Sequence, residues 1–168
     1  MAVWMEPMSL EQYIAGLAEQ YQGEVIGEVA QNCLLKQFRN PRQQYVMGTA
    51  LQLETETKAR LRPAATALGI DIVEAEESRE MGLALAEMVK HMDWQEAMSF
   101  LAEAVLPYVE KYRQIAENAP PDLQDLAQSM VEHEHLLQQL YEQEATQTGD
   151  DALEEINRLL TFPLPKPG

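Results

Sequence analysis

Residues 9–38 read SLEQYIAGLAEQYQGEVIGEVAQNCLLKQF. At about 100° per residue, Leu10, Ile14, Leu17, Tyr21, Val25 and Leu35 fall on one side of a helix. Glu24 and Glu28 lie in the same stripe, one turn apart. A carboxylate facing a helical core is costly unless it is paired, hydrogen-bonded or bound to a metal. This stretch therefore predicts a long helix and marks two candidate site residues on its inner face.

The neighbouring residues give the helix its ends. Ser9 with Gln12 three residues on forms a capping box. Asn40-Pro41 closes one helix and opens the next, with Asn as cap and Pro at the first helical position. The second helix is predicted over 41–68, stopping at Gly69. Its inward stripe contains Val46, Ala50, Leu53, Thr57, Leu61 and Leu68, with Glu54 beside the centre. A short helix is predicted over 78–91. Asp93, with Glu96 three residues on, starts a third long helix over 94–118, whose inner stripe includes Leu101, Tyr108 and Tyr112 and whose Pro107 should kink it. Glu96, Glu103 and Glu110 repeat off that stripe and read as a solvated face. Ala119-Pro120-Pro121 is a hard break. A fourth long helix over 122–146 carries Glu134 at the centre of its apolar stripe and His133 at the edge, while Glu132 and His135 point away. Asp150 or Asp151 begins a short last helix to about residue 160, followed by a proline-rich tail.

Four long helices with tight first and last links predict an all-α fold, a four-helix bundle. The link of about 25 residues between the second and third helices is long enough to cross the bundle and holds the short extra helix. Residues 1–168 read as one domain, with the core bundle at 9–147 and a C-terminal short helix and tail at 150–168.

The formal net charge is −16. Such a chain repels nucleic-acid phosphate and anionic membranes, so direct nucleic-acid binding is not expected. No apolar run reaches membrane-spanning length. The opening MAVWMEPM lacks the basic and apolar regions of a signal peptide. One cysteine, Cys33, permits no internal disulfide and suits a reducing cytoplasm. A homodimer through the outer helix faces is left open.

In antiparallel helices of similar length, midpoints share a level. Glu24 and Glu28 from the first helix, Glu54 from the second, and His133 and Glu134 from the fourth then converge on one layer as candidate metal ligands. Thr57, Tyr108 and Tyr21 are candidates for the surrounding shell. Carboxylates held this close raise one another's pKa values unless a cation intervenes. Oxygen-plus-imidazole ligation suits iron or manganese better than a thiolate-seeking metal.

The stretches GEVIGE, LQLETETKARLRP and VEHEHLLQQLYEQE resemble the ferritin-like superfamily, near its rubrerythrin and di-iron hydroxylase branches. The resemblance covers residues 9–147 in architecture. It implies two irons held by one Glu from each of two helices and a Glu-x-x-His from each of the other two, and oxidase, peroxidase or hydroxylase chemistry with an unknown redox partner. The chain departs from that pattern. Thr57, not His, lies three residues after Glu54. Met130, not Glu, lies three before His133. Tyr108 stands where the third helix would offer a Glu. Two readings follow: a metal-dependent oxidoreductase using iron or manganese, or a non-catalytic ferritin-like scaffold or stress-related interaction module that has lost its di-iron site.

Overall fold

The computed structural model describes residues 8–168. The stretch read above for a leader sequence lies almost wholly outside them. Among the described residues there are six α-helices, one short 3-10 turn and no strand: α1 (Leu10–Gln37), α2 (Pro41–Ala67), α3 (Glu76–Met88), α4 (Trp94–Glu117), α5 (Gln124–Thr146) and α6 (Asp151–Leu159).

Three of the caps read from sequence form as expected, while Asp150, at the start of α6, makes no side-chain cap bond. Ser9 and Asp93 each close a capping box with Gln12 and Glu96, and the Asn40 side chain accepts from the backbone N–H groups of Arg42 and Gln43. Gly69 takes a left-handed φ of 73° after α2, a conformation that costs glycine little. The short helix begins two residues earlier than predicted, at Glu76. The fourth long helix begins two residues later, because Pro121–Leu123 forms the 3-10 turn instead. Helix α4 continues through Pro107.

The helices pack side by side. Contacts between Lys58 and Glu28 set α2 antiparallel to α1, and Trp94 with Glu144 sets α5 antiparallel to α4. Helix α2 meets α5 at Thr57 and His133. Helix α3 lies along the outside of α1, running the same way: Ser78 bonds Gln22, and the backbone carbonyl oxygens of Val89 and Lys90 accept from Gln37. Gly82 permits that approach, since a Cβ there would collide with the backbone of Ile26 and the side chain of Val29. The segment between α2 and α4 thus runs back along the bundle.

The apolar core divides into two clusters. One gathers Leu34, Met47, Leu53, Met98, Leu101 and Leu137, closed at its end by Leu153 and Ile156 of α6. The other gathers Leu17, Val25, Leu61, Tyr112, Ile115 and Met130. On α2 the junction falls between Leu53 and Leu61, and on α5 between Met130 and Leu136. Glu54, Thr57, His133 and Glu134 all sit in those intervals. The buried acids therefore form a polar layer between the two apolar clusters. No helix among the described residues is long and apolar enough to cross a membrane.

A candidate metal centre between the two cores

Three helices supply the centre of the layer. Glu24 of α1 is fully buried, Glu54 of α2 is 4 % exposed and His133 of α5 is 1 % exposed. The Nε2 atom of His133 stands 3.2 Å from Glu24 Oε2 and 3.4 Å from Glu54 Oε2. Each of the three offers a ligand atom within 4.8 Å of the other two, a spacing one ion can bridge. Glu134 Oε1 lies 3.9 Å from the same nitrogen, at the edge of the group.

Neither oxygen of Glu24 makes a well-aligned hydrogen bond, and neither does His133 Nε2, although Nε2 and Oε2 stand 3.2 Å apart. Buried carboxylates without partners cost several kcal/mol each, roughly, so their retention in a packed core calls for a compensating charge. The far side of the ring is held: His133 Nδ1 and Thr57 Oγ1 are 3.1 Å apart. Metal-bound histidines characteristically anchor their other ring nitrogen in this way. Thr57 therefore does border the group, on the side away from the acids.

The titration of these groups reflects their crowding. Burial, and then the charge of Glu24, pushes Glu54 up to about 8. Burial likewise pushes Glu134 up to about 8, opposed by His133 and reinforced by Glu54. Burial alone would lower the His133 pKa, yet Glu24 and then Glu54 raise it well above its ordinary value. The Tyr112 hydroxyl is raised by burial and then by Glu134, Glu24 and Glu54.

One candidate ligand does not join the layer. Glu28 accepts from Lys58 Nζ at 2.9 Å and from Thr55 Oγ1 at 2.9 Å, and its side chain is 28 % exposed. Four residues advance a helix by about 400°, so Glu28 sits some 40° around from Glu24. That offset carries it to the α1–α2 edge, where Lys58, itself 3 % exposed, is waiting. Lys58 also binds Glu74, so it serves two carboxylates outside the layer and none within it. Tyr21 packs in the apolar cluster with Leu17 and Val25. Tyr108 is half-buried and lines a cavity that reaches the layer.

Three contributors are not singled out by acid or histidine patterns. A Cβ at Gly27 would collide with the carboxylate of Glu54, so this glycine is the floor on which Glu54 rests. A Cβ at Gly23 would stand 2.5 Å from the Tyr112 hydroxyl. The four-residue spacing of these glycines in GEVIG places both on the face that meets the layer, and it is the signal that could have found them. The third is Gln31, 3 % exposed, whose amide Nε2 donates to the Tyr141 hydroxyl while its Oε1 has no partner.

The cavity beside the layer has a volume of about 350 Å³. Glu54 and Glu134 form part of its wall, and residues of α1, α3, α4 and α5 form the rest. A second cavity of about 280 Å³, more polar, touches Thr57 and His133 from the opposite side, beneath the chain that follows α6. No protein-family model, curated protein or solved structure matches this chain.

Proposed function

We propose that this protein is a ferritin-like metal-dependent oxidoreductase that holds iron or manganese through Glu24, Glu54 and His133. The observation that carries this reading is the buried Glu24 carboxylate, which faces the His133 imidazole nitrogen without a well-aligned hydrogen bond. The direction of the helices supports the ferritin-like assignment: α2 and α4 run the same way, joined by a segment that returns along α1. Three protein ligands leave coordination positions open for dioxygen or peroxide, and a bound iron or manganese supplies one-electron chemistry there. One ion is the proposed stoichiometry, because Glu28 is engaged by Lys58 and α4 offers no acid at this level.

The protein's own groups then have distinct tasks. Ligation at Nε2 leaves the His133 proton on Nδ1, where it donates to Thr57 Oγ1 and fixes the ring plane. Glu54 is set by Gly27. Glu134 lies beside the ligands and lines the cavity, placed to hold or release a proton at Oε1 near an entering molecule. The apolar walls exclude water from the reacting side. The lone Cys33 is compatible with a cytoplasmic setting.

A second reading has its own observation. His133 Nε2 lies within 3.4 Å of two carboxylates, and its raised pKa favours an imidazolium that neutralises them without any metal. The protein would then be a non-catalytic scaffold. Anaerobic loading with Fe(II) followed by air, with dioxygen uptake followed by electrode, separates the two. Uptake above the rate of free Fe(II), lost in Glu24→Gln, supports the oxidoreductase. Uptake equal to free Fe(II) would leave the scaffold reading standing.

A further inference from the structure

Helix α3 packs on α1, and the space it leaves towards α4 is the 350 Å³ cavity. Met81 and Met88 of α3, more than half exposed, mark its outer side. Leu101 and Val105 of α4 and Leu137 of α5 form apolar walls. Glu54, Glu134 and Gln31 are the polar groups at its buried side. The volume is within the range of small-molecule sites, roughly 300–1,000 Å³, and the pattern of apolar walls with few polar groups matches theirs.

We infer that this cavity binds a neutral, largely apolar small molecule. Two observations select that chemistry. The walls are apolar, so a fully charged ligand would lose its hydration without replacement. The chain carries a net charge of −16, so an anion is further disfavoured. Naming this molecule as the substrate rests on the metal reading above. Its occupancy of the cavity does not.

The test uses the full chain and N-phenyl-1-naphthylamine, a neutral apolar fluorophore with one N–H. Saturable enhancement of its fluorescence is expected, displaced by 1-decanol and at least about tenfold more weakly by decanoate, whose charge the apolar walls leave without hydration. Ala84→Trp and Ala104→Phe, from opposite walls, should each weaken binding while far-UV circular dichroism stays unchanged. Absence of saturable binding, equal displacement by decanoate, or indifference to both wall variants would overturn the inference. Mn(II) binding is measured on the same samples. Metal without fluorophore binding defeats this inference alone, and fluorophore without metal binding defeats the metal reading alone. With both bound, broadening of decanol proton resonances by Mn(II), absent in His133→Ala, would place the ligand beside the metal.

Discussion

Glu24 and Glu28 are one helical turn apart and meet opposite fates. Glu28 has a cation supplied by the protein: Lys58 reaches it at 2.9 Å and holds Glu74 as well. Glu24 has no lysine or arginine; its buried carboxylate faces only His133, whose Nε2 is 3.2 Å from Oε2. The same division separates other acids of this chain. Arg42 serves Glu144 and Asp150 at the end of the bundle, while Glu54 and Glu134 have only a shared imidazole. Where this fold needs a carboxylate for cohesion, it places a lysine or arginine against it. In the layer it places only the imidazole of His133.

The comparison can be broken most forcefully at the layer itself. His133→Ala and Glu24→Gln should each lower Mn(II) or Fe(II) affinity by more than about 100-fold, beyond the about 10–100-fold that a supporting residue is worth. Isothermal titration checks this. Without metal, His133→Ala should also destabilise the fold by about 3–5 kcal/mol, since it strands the buried acids. Gly27→Ala comes next. Its methyl group occupies the place of the Glu54 carboxylate, so urea unfolding should show a loss of about 1–3 kcal/mol together with weakened metal binding. Thr57→Val keeps the shape but removes the anchor of Nδ1, and should cost about tenfold in metal affinity with little change in fold stability.

At the paired acids the expected pattern reverses. Lys58→Met should reduce stability by about 1–2 kcal/mol, less than a fully buried pair would cost because Glu28 and Glu74 are partly exposed. It should leave metal affinity unchanged. The remaining effect is in pH. Glu54 and Glu134 carry raised values near 8, so their contribution is complete below the ordinary carboxylate range and is lost as pH rises towards 8. Glu74 and Asp150 are held low, by Lys58 and Arg42 first of all, so theirs is present above the ordinary range and is lost as pH falls through the depressed values. Thermal stability of metal-free protein should therefore peak near the ordinary carboxylate range, about pH 4–5, and decline on either side, and added Mn(II) should raise Tm more at pH 8 than at pH 6.

The difference also explains what could be read from the chain. Caps at Ser9, Asn40 and Asp93 are local hydrogen-bonding devices, so sequence alone placed the helix starts they control. The burial of Glu24, Glu54, His133 and Glu134 was legible too, because helical periodicity assigns each to an inner stripe. Glu28 was not separable from Glu24 by phase alone: the residue that takes it, Lys58, lies on another helix. Periodicity says which way a side chain faces and nothing of who meets it. Gly27 and Gln31 were overlooked for a related reason. A missing side chain and a neutral amide carry no charge to attract notice, and their importance appears only when α2 and α5 are packed against α1.

The most direct test is a calorimetric titration of chelator-treated wild-type protein with Mn(II) and, under anaerobic conditions, Fe(II) near pH 7.5, with Glu24→Gln alongside. One ion bound per chain, lost in the variant while Glu28→Gln still binds, is the expected result. Wild-type protein that takes up neither ion, or that binds equally well without the Glu24 carboxylate, would contradict a metal centre between the two cores.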